Sequence, residues 1–234
     1  MTRPLTTIAF DADDTLWHNE TFFRLTQDRF AALLADYAPR DHLEQRMLAA
    51  ERRNLGQYGF GIKGFVLSMI ETAIEVTEEK VPAPVIRELI EAGQEMLRHP
   101  IDLLPEVEQT VRTLAPDFRL LVITKGDLLD QERKLAQSGL GDLFDGVEIV
   151  SHKTPAAYDA IFARHTEGAM RTMMVGNSMK SDVLPVLELG AWGVHVPHGV
   201  IWELEQADPP ENHARFHAVQ GIGQVVKLAH RLID

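Results

Sequence analysis

The sequence predicts an α/β fold: a parallel sheet layered with helices, and an all-helical segment inserted after the first strand. Three observations carry this reading. An apolar run, Thr7-Ile8-Ala9-Phe10, stops at a cluster of acids. From about Glu20 to His99 strand character gives way to helical spacing. From Leu103 onward short apolar runs alternate with helix-length segments, the signature of βαβ units.

The first strand ends at Asp11-Ala12-Asp13-Asp14-Thr15-Leu16, and parallel sheets place their chemistry at strand ends of this kind. Beyond a strand end the chain turns, so Asp11 and Asp13 can converge on one ligand, with only the small Ala12 between them. A turn whose acids cap a helix explains an isolated D-x-D equally well. A calcium loop of the EF-hand type does not fit. It requires Gly at the sixth position and Glu at the twelfth, where this chain has Leu16 and Phe22.

The insert shows three apolar stripes at helical spacing. They are Phe22, Phe23, Phe30, Leu33 and Leu34; Val66, Met69, Ile70, Ala73 and Ile74; and Val85, Ile86, Leu89, Ile90, Met96 and Leu97. Pro39, Pro82, Pro84 and Pro100 bound them. Between the first two, Gly56 to Gly64 reads as a glycine-rich loop: either a plain helix connector or a mobile loop facing a ligand, with Lys63 as a candidate phosphate contact.

Beyond the insert, Leu120–Ile123 is a strand ending at Thr124-Lys125-Gly126-Asp127, and Gly146–Val150, Thr172–Gly176 and Trp192–Val196 are three more. Helices are expected over Leu128–Ser138, Pro155–His165, Met179–Leu189 and Val219–Leu232, with a loop at Ala207–Asn212. The expected division is a core of residues 1–18 and 100–234 around a helical domain of residues 19–99.

Composition limits the function classes. With 234 residues, 45% hydrophobic and 25% charged, the chain can bury one sizeable core and a smaller accessory domain. The absence of Cys rules out disulfides, thiolate metal sites and a cysteine nucleophile. No apolar run approaches the roughly 20 residues of a membrane helix. The N-terminus passes from Arg3-Pro4 into a strand without a signal-peptide core, so a cytoplasmic protein is expected. A formal charge of -12 argues against nucleic acid and anionic membranes as partners. An anionic substrate must then be drawn in by local charge.

The stretch Phe10-Asp11-Ala12-Asp13-Asp14-Thr15-Leu16 resembles the first motif of the haloacid dehalogenase superfamily, a strand ending in D-x-D-x-T. Thr124 resembles the Ser or Thr of the second motif, and Lys153 in Ser151-His152-Lys153-Thr154-Pro155 the Lys of the third. Val175-Gly176-Asn177-Ser178-Met179-Lys180-Ser181-Asp182 resembles the fourth, usually G-D-x-x-x-x-D. Taken singly, Thr124, Lys153 and the Asn177/Asp182 pair read as well as caps, a solvated lysine and turn residues. Together, in order and at strand ends, they supply complementary parts of one reaction.

The resemblance implies a Rossmann-like three-layer core with a helical cap between the first two motifs. It also implies a magnesium-dependent phosphatase acting on a small-molecule phosphate ester, as a monomer or homodimer. Asp11 would be the nucleophile that forms an aspartyl-phosphate and Asp13 the general acid and then base. Thr124, Lys125, Lys153 and Lys63 would contact the phosphate. Mg2+ would take Asp11, the backbone carbonyl of Asp13, Asn177 and Asp182, oxygen ligands of the kind it prefers. Asn177 stands where the family has an acid, which implies weaker metal binding, and Asp14 stands where it often has Gly and reads as a backbone or capping substitution.

Three rival readings remain. A 2-haloacid dehalogenase lacks the second Asp, because halide displacement needs neither leaving-group acid nor metal, so Asp13 opposes that reading and Asn177 favours it. A phosphoacceptor domain of receiver type would carry its acceptor on a later strand and has no counterpart of the insert. A binding protein without turnover is the third. His195 and His198 form an H-x-x-H, but two nitrogen ligands without a third do not close a zinc site, so both read as structural or loop histidines.

Overall fold

The structure, a computed structural model, describes residues 5–199 and 202–233. The reading of Arg3-Pro4 falls outside them. The chain divides into two compact units: one contains the described residues through Glu20, Ile101–Lys125 and the segment from Gln131 onward, the other Thr21–Pro100 with Gly126–Asp130.

The first unit is built on a parallel sheet. Its strands are β1 (Thr7–Phe10), β2 (Arg119–Lys125), β3 (Gly146–Val150), β4 (Thr172–Gly176), β5 (Trp192–His195) and β6 (Phe216–Ala218), in the order β3-β2-β1-β4-β5-β6. Chain order reverses at β1, with β2 and β3 on one side and β4 to β6 on the other. The carboxyl end of β1 is therefore the topological switch point, where doubly wound sheets open a crevice for ligands.

Side chains alternate across this sheet as strand geometry requires. Ile8, Phe10, Leu120, Val122, Met173 and Val175 pack with Val107 and Val111 of α5 (Val107–Leu114) and Val225 and Leu228 of α9 (Gln224–Arg231). Ala9, Leu121, Ile123 and Met174 pack with Tyr158 and Phe162 of α7 (Pro155–His165) and Val186 of α8 (Leu184–Glu188). Two faces, each covered by helices, make the expected three layers.

Three details differ from the sequence reading. The expected helix over Met179–Leu189 is a π-helical turn, Met179–Val183, followed by α8. The wider turn lets the Asp182 carboxylate reach back to the N–H of Ser178 at 2.9 Å. The last helix is shorter than expected, because Gly221 and Gly223 hold a turn ahead of Gln224. The edge strand β6, Phe-His-Ala, has no apolar run to announce it.

The second unit is helical: α1 (Glu20–Leu33), α2 (Arg40–Tyr58), α3 (Ile62–Val76) and α4 (Ala83–Arg98). Phe30, Leu34, Leu43, Met47, Phe65, Met69 and Leu89 form its core. The stripes found in the sequence fall on or beside α1, α3 and α4, whereas α2 escaped because most of it is polar. Its contribution is an ionic face, with Arg46 on Glu75 at 2.6 Å and Arg53 on Glu71 and Glu75 at 3.2 and 3.0 Å. The expected loop from Gly56 to Gly64 is corrected, since the helices run into it and leave only residues 59–61 between them. Gly61 sits at φ 114, a backbone that side chains rarely adopt. Among the described residues no helix is long and apolar enough to cross a membrane.

Candidate active site

The turn after β1 sets out the acids. Asp11 follows Phe10 directly, and its backbone N–H donates to the Val175 carbonyl at 2.9 Å, extending the pairing with β4. The chain then curls, with the N–H groups of Thr15 and Leu16 donating to the Ala12 carbonyl at 3.2 and 2.8 Å. Asp14 takes a left-handed backbone, φ 59, which Asp tolerates better than most residues. Its carboxylate accepts the N–H groups of Asn19 and Glu20 at 2.9 Å each, capping α1. Asp14 thus serves both as the backbone residue and as the cap read from the sequence. Asp14→Ala should cost about 2 kcal/mol, from the lost cap and the strained backbone together. Asp14→Asn should cost least, and urea unfolding in which Ala matched Asn would refute the double role.

Three segments converge behind this turn. Lys153, at the N-terminal approach to α7, donates to Oδ1 of Asp11 and, at 2.8 Å, to Oδ1 of Asp182. The Asp182 carboxylate lies so close to β4 that a Cβ on Gly176 would collide with it, which is why that motif carries Gly. The Thr15 hydroxyl lies 3.1 Å from Oδ2 of Asp11 and 3.3 Å from Oδ1 of Asn177, and it accepts the Asn177 N–H at 3.1 Å. Asp11, Thr15, Lys153, Asn177 and Asp182 therefore form one connected group.

Asp13 is held by a clamp of its own. Its Oδ1 accepts from Lys134 Nζ at 3.0 Å and from Trp17 Nε1 at 2.8 Å, and its Oδ2 accepts from Gln131 Nε2 at 2.8 Å. Gln131 and Lys134 stand one turn apart on α6 (Leu128–Ser138), and both are buried. Asn19 accepts a further bond from Lys134 at 2.9 Å.

The remaining candidates are placed differently. Thr124 is buried near the end of β2, and its hydroxyl lies 3.4 Å from the Lys125 carbonyl. The Lys125 ammonium pairs with Glu205 at 2.5 Å and donates to Ser181 at 2.9 Å. Glu205 also accepts from the hydroxyls of Ser178, at 2.7 Å, and Ser181, tying the segment Glu203–Glu205 to the fourth-motif turn. Lys63 belongs to the helical unit, where it pairs with Asp127 at 3.0 Å. His195 donates from Nε2 to the Asn177 carbonyl at 3.0 Å, and the His198 ring lies 5.1 Å from that of His18, so neither is placed as half of an H-x-x-H metal site.

Electrostatics separates the two acids. Burial, reinforced by the charge of Asp182 and only partly offset by Lys153, pushes the Asp11 carboxyl up to about 7. Burial would also raise Asp13, but the Lys134 ammonium and the donors from Gln131, Lys134 and Trp17 outweigh it and hold that carboxyl below the usual range. Burial likewise opposes the charge of Lys153, yet Asp11 and Asp182 keep its ammonium above the ordinary lysine value.

The donor set suits a hard cation in one respect and lacks it in another. Three buried or half-buried carboxylates, Asp11, Asp13 and Asp182, face two ammonium groups, Lys134 and Lys153, leaving negative charge that a dication would relieve. Among the described residues, however, no three His, Asp or Glu side chains gather around one metal position. The available oxygens are the Asp11 and Asp182 carboxylates, the Asn177 amide and backbone carbonyls.

Sequence reading missed Gln131, Lys134, Trp17 and Glu205. Thr15 and Ser178 lay within the recognised motifs without a role. Gln131 and Lys134 had a latent signal in being three apart on a helix whose first motif partner needs a counter-charge, but a helical Gln or Lys ordinarily faces water.

The model of the haloacid dehalogenase-like hydrolase family matches residues 5–190. A haloacid dehalogenase-like hydrolase from Xanthomonas campestris is 39% identical, with 99% of this chain and 93% of that one covered and a TM-score of 0.88. A protein described as a predicted phosphoglycolate phosphatase from Haemophilus somnus is 16% identical, with 97% and 99% covered and a TM-score of 0.65. A 2-haloacid dehalogenase from Pseudomonas syringae is 20% identical, with 97% and 99% covered and a TM-score of 0.61. The last two share the fold alone, and they represent both rival chemistries. A search of curated protein sequences gives no match. The matched span contains every residue of the connected group, and the chain belongs to the haloacid dehalogenase-like hydrolases.

Proposed function

We propose that the protein is a phosphatase that hydrolyses a small phosphomonoester through an aspartyl-phosphate on Asp11, with magnesium. The observation that carries this reading is Asp13, a carboxylate two residues past Asp11 that accepts three hydrogen bonds, from Trp17, Gln131 and Lys134. Halide departs as a stable anion and needs no proton. An ester oxygen departing from phosphorus does need one, and the acyl phosphate left behind needs a base to activate water. A second carboxylate of this kind has work in phosphate chemistry and none in halide displacement.

In this mechanism an Asp11 oxygen attacks phosphorus as the bond to the ester oxygen breaks, and that oxygen takes a proton from Asp13, which must first gain it from solvent because its clamp favours the ionised form. Asp13, again ionised, then removes a proton from the water that attacks the aspartyl-phosphate, releasing phosphate and regenerating Asp11. Lys153 balances the charge shared by Asp11, Asp182 and the phosphoryl oxygens. Thr124 donates to a phosphoryl oxygen, Lys125 reaches the phosphate by leaving Glu205, and Lys63 is kept as a candidate phosphate contact. Asp11, the Asp13 backbone carbonyl, Asn177 and Asp182 would hold magnesium, which when bound would supply positive charge near the non-bridging oxygens.

Hydrolysis of p-nitrophenyl phosphate should appear with magnesium and vanish in excess EDTA. Full activity in EDTA would remove the metal from the reading. Asn177, a neutral ligand where an acid is usual, favours one second reading, the metal-independent dehalogenase. Chloride release from 2-chloropropionate in EDTA, without phosphate release from any ester, would establish that reading instead.

A further inference from the structure

Gln131 carries an observation that the reaction above leaves unexplained. Its Nε2 donates to Oδ2 of Asp13 at 2.8 Å and to the Lys125 carbonyl at 2.7 Å. Both partners are acceptors only, which fixes the orientation of the amide: turned over, its oxygen would face two oxygens. The Oε1 atom so oriented is buried and has no hydrogen-bond donor among the described residues. A buried carbonyl left unpaired costs about 1–3 kcal/mol, so such an atom marks a place where a donor is expected. Oε1 belongs to the same amide that grips Asp13, which puts that missing donor beside the Asp13 carboxylate.

Resting on the phosphatase reading, we propose that Gln131 and Lys134 are positioning residues for Asp13, fixing its carboxylate where proton exchange occurs, with the spare Oε1 of Gln131 orienting the O–H that Asp13 exchanges with. That O–H belongs to the departing alcohol in the first step and to the attacking water in the second. The division of labour follows from the contacts. Lys134, buried and tied also to Asn19, anchors Oδ1 through its ammonium. Gln131 anchors Oδ2 and keeps one acceptor in hand. Trp17 closes the set at 2.8 Å and prevents the carboxylate from rotating. Gln131 and Lys134 come from one face of α6, so a single helix sets the direction of the carboxylate.

The test compares Gln131→Met, Lys134→Met, Lys134→Arg and Asp13→Asn on p-nitrophenyl phosphate and on an alkyl phosphate, whose leaving oxygen is far more basic. Orthovanadate binding, read as the rise it causes in unfolding temperature, serves as a measure of the Asp11 centre that needs no turnover. General acid–base assistance is typically worth roughly 10²–10⁴-fold. Gln131→Met should therefore lower kcat on the alkyl ester by about 10–100-fold, and on p-nitrophenyl phosphate by no more than about threefold. The vanadate affinity should stay within about twofold of wild type. Lys134→Arg should recover most of what Lys134→Met loses. Where Lys134→Met fails to fold, Gln131→Met, which removes no charge, carries the same comparison. Combining Gln131→Met with Asp13→Asn should cost no more than Asp13→Asn alone, because residues that act as a unit are not additive.

Equal losses on both esters, additive losses in the double variant, or weakened vanadate binding would show a merely structural role and overturn the proposal, as would unchanged rates. If the wild-type protein hydrolysed no ester at all, the phosphatase reading would fall and take this one with it. An active wild type with parallel losses would sink the clamp alone.

Discussion

Replacing Asp11 by Asn should abolish turnover and at the same time stabilise the metal-free protein at neutral pH. Loss of a nucleophile from a covalent mechanism costs on the order of 10⁴–10⁶-fold in kcat, and the amide cannot form the aspartyl-phosphate. The fold should survive, because Asn keeps the shape and the backbone bond from residue 11 to Val175. The gain in stability follows from the raised carboxyl. With a folded value of about 7 against an ordinary 3.8, native Asp11 holds its proton over a range where the unfolded chain has released it. Where the native state binds more protons, stability falls as pH rises. The metal-free wild-type protein should therefore lose stability between about pH 4 and pH 7, and Asp11→Asn should lose much less. Urea unfolding at pH 5 and pH 8 in EDTA checks both halves; a variant less stable than wild type at pH 8 would mean that Lys153 outweighs burial and Asp182 at this position.

The sequence was most informative where chemistry and strand ends coincide. Asp11, Lys153, Asn177 and Asp182 were legible because each follows an apolar run at a recognisable spacing, and parallel pairing of β1 with β2 and β4 then brings those ends to one edge. The clamp on Asp13 was not legible. Two of its three donors lie 118 and 121 residues away on α6, and nothing local marks a helical Gln or Lys as buried. The Lys125–Glu205 pair was hidden for a related reason, since 80 residues separate partners that only the loop after β5 brings together. Helix α2 was missed because its stability comes from ionic contacts with α3 and four buried positions, Leu43, Met47, Ala50 and Asn54, too few and too mixed to form a visible stripe. Local pattern thus recovers elements that bury a continuous apolar face, and loses groups whose burial depends on a distant partner.

Lys153 should prove the most sensitive structural residue of the site. One ammonium bridges two buried carboxylates, and removing one partner of a buried ionic group typically costs about 3–5 kcal/mol, because the charges left behind are neither solvated nor paired. Lys153→Met should show a loss of that order at pH 7. The raised value of the lysine gives the pH range of its contribution: fully present below the ordinary 10.5 and lost as pH climbs through the higher folded value. In the variant Asp11, already raised to about 7 and no longer offset by the ammonium, is pushed higher still, so the penalty should grow as pH rises above 7 and shrink below it. Adding Asp182→Asn should restore part of the loss at pH 7 by removing a stranded charge. A divalent cation should do so as well if Asp11, Asn177 and Asp182 hold it, and it should then raise the unfolding temperature of Lys153→Met more than that of wild type. Turnover should fall by roughly 10²–10³-fold even when folding is restored, the cost expected for removing a charge aimed at the transferring phosphoryl group. If Lys153→Met unfolded at the wild-type temperature across this pH range, the ammonium would contribute nothing net to stability, and the charge balance drawn for the site would be wrong.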